Sequence, residues 1–196
     1  TAGTTTIASG ESLVWTPAAD ANGTLNAFTV KAYDGTSYSS TAVQVQVSVA
    51  AVNDAPTTGD QTITLNEDTI YTFSANDFTF ADVDSGAALA SIQLTNFTNP
   101  GGGFGIFVDA NDDDLYDVGE EVTGSSVINI TDINAGNLKA GASTENSNGD
   151  GFATVSFTVS DGTASSALSG TNTFNVAAVD DAAVIAGDIS GSADED

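Results

Sequence analysis

The sequence predicts an all-β fold, and three observations support that prediction. Thr, Ser, Val, Ala, Asn and Asp dominate the 196 residues, whereas strong helix formers are few. Several runs alternate between apolar and polar residues, which is the two-residue period of a half-buried strand. Asp-Gly pairs lie between such runs, where they favour tight turns. Together these patterns predict strands joined by short hairpin connections.

The alternating runs form two similar hairpin patterns. In the first, Asp34-Gly35 separates a run over residues 27–33 from a run over residues 42–52. In the second, Asp161-Gly162 separates a run over residues 155–159 from a run over residues 173–179. Each pattern predicts two antiparallel strands on either side of the Asp-Gly turn.

The two hairpin patterns also match residue by residue. Asp34-Gly35-Thr36 corresponds to Asp161-Gly162-Thr163 at an offset of 127 residues, and the same offset carries Val49 to Val176. Upstream, Asn22-Gly23 aligns with Asn148-Gly149 after a shift of one residue. Polarity and turn position agree over the whole span, which indicates an internal repeat.

A further match predicts the domain organisation. Residues 55–69 resemble residues 182–196. The first stretch ends with Thr69, and the second would continue with a Thr if it were followed by Thr1. We therefore expect one period of a two-domain repeat: 1–54 as the C-terminal part of a split domain, 55–181 as a complete domain, and 182–196 as the first strand of the next or a neighbouring copy's domain. This interpretation pairs Val184–Ile189 with Ala42–Val49 of a second copy. The alternative is a fragment with arbitrary ends.

The charge excludes several classes of function. The chain has 27 acidic and 2 basic residues, a formal net charge of −25, and neither His nor Cys. Two basic side chains cannot neutralise a row of phosphates, so nucleic-acid binding through the phosphate backbone is excluded. The remaining metal ligands are oxygens, which suit Ca²⁺ and Mg²⁺. Since no segment approaches 18 consecutive apolar residues, we expect no insertion into a membrane.

Residues Asp109–Glu120 have the spacing of a calcium-binding loop. Counting from Asp109, oxygen-bearing side chains fall at positions 1, 3, 5, 9 and 12, as in EF-hand loops, and position 7 offers its carbonyl. The proposed ligands are Asp109, Asn111, Asp113, Leu115, Asp117 and Glu120. Position 6, which usually holds Gly, is Asp114, a residue type that tolerates positive φ. Since Phe104–Val108 and Val122–Ile130 predict strands, we expect the loop within a β-hairpin. The alternative is a solvated acidic turn.

Several short motifs carry a family resemblance. They are Ala51-Val52-Asn53-Asp54-Ala55-Pro56, Asn66-Glu67-Asp68-Thr69, residues 78–84, residues 132–138, residues 157–162 and residues 186–192. Their order and spacing resemble the cadherin-like tandem repeats of giant bacterial surface adhesins, of the type found with RTX and VCBS repeats. This resemblance implies tandem Greek-key β-sandwiches, cadherin-like or immunoglobulin-like, arranged end to end with Ca²⁺ at the junctions. Residues 55–181 would then be a complete cadherin-like domain carrying the calcium loop as an insertion.

The same resemblance implies two sets of junction ligands. At the first junction they are Asn53 and Asp54 of the linker, Asp82 and Asp84 of an Asp-x-Asp loop, and Asp161 at a strand end. At the second junction they are Asp180, Asp181, Asp34 and Glu67, and Glu195 is the counterpart of Glu67 at the first. The alternatives are turn and capping roles for Asn53 and Asp54, and ordinary exposed carboxylates at the second junction.

These features predict an extracellular structural repeat stiffened by calcium, serving as a spacer or fibre segment of a bacterial adhesin or matrix protein in cell-surface or biofilm attachment. Clustered carboxylates repel one another, and bound Ca²⁺ offsets that repulsion. Expected partners are neighbouring repeats or copies, head to tail, with a surface or polysaccharide ligand elsewhere in the full protein. One alternative is a noncovalent extracellular filament that polymerises by strand complementation, and another is a carbohydrate- or protein-binding module. An enzyme is not expected.

Overall fold

A computed structural model describes residues 5–99, 103–142 and 148–182. The described residues form ten strands, one short α-helix and one 3₁₀ turn, which confirms the predicted all-β class. The chain divides into two compact units. In the described ranges, the first unit comprises residues 5–54 with Val83–Ala87, and the second comprises Ala55–Asp82 and the residues from Ala88 onward.

Of the described elements, two strands lie in the first unit, and the remaining elements lie in the second. The first unit contains β1 (Gly23–Val30) and β2 (Val43–Val49). The second unit contains β3 (Gln61–Asn66), β4 (Ile70–Thr72), a 3₁₀ turn (Ala75–Asp77), β5 (Ser91–Thr98), β6 (Phe104–Val108), β7 (Val127–Asn129), α1 (Ile130–Ala135), β8 (Leu138–Ala142), β9 (Gly149–Ser160) and β10 (Gly170–Ala177).

The second unit is β-sandwich-like. Its described residues form a five-stranded sheet in the order β3-β10-β9-β5-β7 and a three-stranded sheet in the order β4-β8-β6. All neighbouring strands are antiparallel except β3, which lies parallel to β10 with Phe174 beside Ile63. The apolar faces of both sheets contribute to one buried core.

Phenylalanine rings join the two sheets of the second unit. The ring centroids of Phe104 on β6 and Phe174 on β10 lie 4.8 Å apart. Phe157 on β9 meets Phe78 edge-on at 5.0 Å, and both are buried. Alternate residues of β9 and β10 point into this core, which is the burial pattern that strict apolar alternation produces. Phe104 and Ile106 of β6, the strand that leads into residues 109–120, belong to this core.

The first unit is a hairpin. β1 and β2 pair antiparallel, with Val30 beside Val43 and Gly23 beside Val49. One face carries Leu25, Phe28, Val45, Val47 and Val49, all half-buried. Among the described residues of this unit, none is fully buried.

The hairpins of the two units share their register and turn contacts at the offset of 127 residues. Val43 pairs with Val30, and Gly170 pairs with Phe157. The bridge between Tyr33 and Tyr38 has its counterpart between Ser160 and Ser165. At the far ends, Gly23 pairs with Val49 and Gly149 with Val176, which reproduces the one-residue shift seen in the sequence.

The prediction of a strand over Val122–Ile130 is wrong in part. Only Val127–Asn129 is a strand, and Ile130 begins the short helix α1. The helix ends at Gly136, whose φ of 82° is the left-handed conformation that favours glycine at a helix C-terminus. Ile133 of this helix is buried in the core, so tertiary packing accounts for a helix of only six residues.

Candidate metal centre

The loop Asp109–Glu120 does not lie in the predicted hairpin of two strands, because β6 and β7, which flank it, belong to different sheets. An antiparallel bridge between Phe107 and Glu121 closes the loop. The N–H of Val108 donates to the carbonyl of Glu120 at 3.0 Å, and the N–H of Val122 donates to the carbonyl of Ile106 at 3.0 Å. Tyr116, in the loop, meets the buried ring of Phe107 at a centroid distance of 5.7 Å. Two antiparallel chain segments and one aromatic contact therefore hold both ends and the middle of the loop.

Asp109 organises the first half of this loop. Its side chain is buried, and its Oδ1 accepts the N–H groups of Asp112 at 2.7 Å and Asp113 at 3.3 Å. Its Oδ2 accepts the N–H of Asp114 at 3.0 Å. The backbone curls around the carboxylate because Asp112 and Asp114 adopt φ values of 61° and 59°. Asp114 thus takes the positive φ that its place in the loop predicted.

Glu120 closes the second half of the loop. Its Oε1 accepts the N–H of Ala110 at 2.8 Å, and its Oε2 accepts the N–H of Asp117 at 3.1 Å. One carboxylate therefore joins the start of the loop to its end.

Asn111 connects the remaining predicted ligands. Its amide nitrogen donates to Oδ2 of Asp113 at 3.0 Å and to Oδ2 of Asp117 at 3.1 Å. Leu115 donates its N–H to Oδ1 of Asp113 at 2.9 Å, while its side chain is exposed. Hydrogen bonds thus link side chains or backbone groups of all six predicted loop residues.

Sequence reasoning missed Lys139, which is the cation of this site. Lys139 lies on β8 beside Phe107 of β6, and only 4% of it is exposed. Its Nζ lies 2.6 Å from Oδ2 of Asp109 and also contacts Asp114. Hydrogen bonding from Lys139, with help from the backbone N–H groups, lowers the pKa of Asp109 to about 2. The two carboxylates in turn raise the pKa of Lys139.

The oxygen ligands that this loop offers suit a hard cation, but they are not gathered around one point. Carboxylate and amide oxygens are the ligands that Ca²⁺ takes, and the Lys139 ammonium already stands as a cation against two of the carboxylates. Within the ranges that the structure describes, no three His, Cys, Asp or Glu side chains are grouped closely enough to hold a metal ion as they stand.

The predicted junction residues divide between the two units. In the first unit, the N–H of Asp54 donates to Oδ2 of Asp84 at 2.8 Å, and the amide of Asn53 donates to the carbonyl of Asp54 at 2.7 Å. Asp82 and Asp161 belong to the second unit. Asp180 and Asp181 are exposed and follow β10.

Asp34 and Asp161 both stabilise turns. Oδ1 of Asp34 accepts the N–H groups of Thr36 and Ser37, each at 2.8 Å. Oδ1 of Asp161 accepts those of Thr163 at 2.6 Å and Ala164 at 2.7 Å. The N–H groups of Ser37 and Thr36 lower the pKa of Asp34. Both carboxylates therefore stabilise turns of the chain, a role that acidic residues often take after a strand.

Glu67 is a buried carboxylate with two partners in the second unit. Its Oε1 accepts the N–H of Val179 at 2.8 Å, and its Oε2 accepts the amide of Asn148 at 2.8 Å. These contacts fasten the end of β3 to the residues that precede β9 and follow β10. Its predicted counterpart Glu195 and the predicted strand Val184–Ile189 lie outside the described residues.

Comparison with known proteins finds no match among protein-family models, curated proteins or solved structures. In the described part of the chain, no helix is long and apolar enough to cross a membrane.

Proposed function

We propose that this chain is an extracellular structural repeat stiffened by calcium, a spacer or fibre segment of an adhesin or matrix protein that supports surface or biofilm attachment. The observation that carries the proposal is the loop Asp109–Glu120. Its residues have calcium-loop spacing, and their hydrogen bonds gather them in a loop that follows β6 of the second unit and is closed by a bridge between Phe107 and Glu121. The role is mechanical rather than catalytic.

The residues that would hold the ion are those of the loop. Asp109, Asp113, Asp117 and Glu120 offer carboxylates, Asn111 offers its amide oxygen and Leu115 its carbonyl. When bound, Ca²⁺ neutralises the carboxylates and crosslinks the two halves of the loop. Binding requires that the amide oxygen of Asn111 faces the ion. It also requires that the ammonium group of Lys139 moves away from the carboxylate of Asp109.

The charge of the whole chain favours a location outside the cell. A net charge of −25 on 196 residues destabilises the compact state through self-repulsion. Extracellular fluids supply the millimolar Ca²⁺ that offsets this repulsion by binding. The equivalent hairpins of the two units favour a repeating architecture, in which each unit contributes length.

Thermal unfolding tests this function. The second unit should melt several degrees higher in millimolar Ca²⁺ than in excess EDTA, because an ion that binds only the folded state stabilises it. Glu120→Gln should remove most of that difference, since it deletes one charged ligand, whereas Glu11→Gln in the first unit should preserve it. Equal melting temperatures with and without Ca²⁺ in the unaltered chain would exclude the calcium role.

A second candidate function is carbohydrate binding, which one surface feature favours. Tyr33 and Tyr38 lie with ring centroids 4.7 Å apart, and 51% and 59% of these residues are exposed. The corresponding residues of the second unit are Ser160 and Ser165, so the aromatic pair is particular to the first unit. Exposed aromatic rings can stack on sugars, and retention of the chain on a polysaccharide matrix, lost in Tyr38→Ala but kept in Tyr38→Phe, would support this candidate.

A further inference from the structure

The outer edge of β2 is a strand edge with no partner in the described residues. β2 pairs only with β1 there, whereas its counterpart β10 in the second unit pairs with β9 on one side and with β3 on the other. An unpaired edge exposes a row of N–H and C=O groups that can accept another strand. A lone two-stranded hairpin is also marginal in water. In the described residues of the first unit, the β1–β2 hairpin lacks the third strand that β3 adds to the β9–β10 hairpin.

We propose that residues 189–193 of a second copy of this chain add to the outer edge of β2 as a parallel strand. The proposal rests on the repeat organisation of the proposed function, but it does not depend on the calcium site. β3 precedes the β9–β10 hairpin that it completes. Residues 182–196 resemble residues 55–69, which contain β3. A second copy of this chain therefore carries a segment that matches β3, and supply of that segment by the same chain is an outcome of the test. Residues 189–193 lie outside the described ranges.

The contacts of Glu67 fix the register of this proposed pairing. In the second unit, Glu67 joins the end of β3 to the N–H of Val179 and the amide of Asn148. The first unit has the corresponding Val52, which is 78% exposed, and the corresponding Asn22. Placing Glu195 where Glu67 lies would supply the matching carboxylate to both.

This register also satisfies the polarity of both strands. In the second unit, Asn172, Phe174 and Val176 lie beside Gln61, Ile63 and Leu65. The equivalent pairs in the first unit are Val45 with Ile189, Val47 with Gly191 and Val49 with Ala193. Ser190 and Ser192 then fall on the polar face with Gln46 and Ser48. A shift of one residue would reverse every side chain and place Asp188 on the apolar face.

The proposed pairing does not extend to the residues that precede Ile189. In the second unit, the segment that leads into β3 passes directly over Gly170, where a Cβ atom would lie 2.6 Å from the carbonyl oxygen of Gly59. The corresponding residue of β2 is Val43, which has a side chain. We therefore limit the proposed strand to residues 189–193.

Cysteine crosslinking tests both the partner and the register. The natural chain has no Cys, so any disulfide must form between introduced residues. A chain with Val47→Cys, mixed in EDTA with a differently tagged chain carrying Gly191→Cys, should form a disulfide-linked heterodimer under mild oxidation. The matched control pairs Gln46→Cys with Gly191→Cys, which face opposite sides of the proposed sheet, and should yield roughly tenfold less, because disulfide geometry tolerates only close, facing residues.

Three outcomes would overturn the proposal. They are equal crosslinking in the two mixtures, no crosslinking in either, and a chain with both Val47→Cys and Gly191→Cys that links only to itself.

Sedimentation velocity of chains without cysteine gives an independent check: the full chain should associate with rising concentration, and a chain ending at residue 182 should stay monomeric. Equal association of both chains, or of neither, would contradict the assignment. Since the mixtures contain EDTA, failure of the calcium role leaves this result unaffected.

Discussion

Lys139 and Asp109 show how one long-range contact changes a site whose other members are local. The six loop residues lie within twelve positions of each other, so their spacing made them predictable. Lys139 reaches the loop only because β6 and β8 pair antiparallel, with Phe107 beside Lys139. No local pattern marks that pairing, although Lys139 is one of only two basic residues in the chain. A lone cation within an apolar stretch was the available signal.

Replacing Lys139 should separate its two effects on the loop. Lys139→Met removes the ammonium from two carboxylates, so the second unit should melt at a lower temperature in EDTA. The affinity for Ca²⁺ should rise roughly tenfold or more, because a positive charge no longer opposes the ion. Calorimetric titration and thermal unfolding measure the two effects. Lys31→Met, at an exposed position of the first unit, is the control and should change neither. Unchanged or weaker Ca²⁺ binding by Lys139→Met would contradict this account.

Tyr71 should titrate at high pH. Burial, followed by its hydrogen bond of 2.9 Å to Asp77, raises the pKa of Tyr71 to about 12. A raised pKa means that the neutral hydroxyl stabilises the fold fully below the ordinary value of 10.0, and that this contribution disappears as the pH rises to about 12. Ultraviolet titration should show a late component that Tyr71→Phe removes. If the late component survives in Tyr71→Phe, the assignment to Tyr71 is wrong.

At the scale of elements, the strands with clear apolar runs were predictable and the shortest elements were not. The predicted strand over Phe104–Val108 matches β6 residue for residue, and the run over residues 155–159 lies inside β9. The helix α1 was missed because its six residues span fewer than two turns, too short for a helical period to be recognised. β3 could be placed first in its domain from the sequence, but its parallel pairing with β10 depends on tertiary contacts.

Gly170 should be the position of β10 least tolerant of a side chain. A Cβ there would lie 2.6 Å from the carbonyl oxygen of Gly59 and 3.0 Å from Phe157. Gly170→Ala should therefore lower the free energy of unfolding of the second unit by about 1–3 kcal/mol, the usual range for overpacking. The control Val43→Ala changes the corresponding position of the first unit, which is exposed. It should alter the free energy of unfolding of the chain by less than about 0.5 kcal/mol. Denaturant unfolding measures both, and similar losses in the two variants would contradict the argument.

At the scale of the whole molecule, charge and repetition carry the proposed function. The acidic excess and the repeat offset are both visible in the composition and the sequence, and the described hairpins reproduce that offset in their pairing. The predicted junction sites, by contrast, depend on side chains from separate units, which spacing along one chain cannot bring together. Asp34 and Asp161 illustrate the difficulty, because acidic residues at such positions also stabilise turns.

The most direct test of the central claim is a crystal structure of the full chain grown in millimolar Ca²⁺, with anomalous scattering used to locate the ion. The account predicts one ion in the loop, bound by Asp109, Asn111, Asp113, Leu115, Asp117 and Glu120 at about 2.3–2.6 Å, the usual Ca²⁺–oxygen distance. It also predicts that Nζ of Lys139 withdraws from Asp109. A loop without an ion, in which Lys139 still contacts Asp109, would contradict the account.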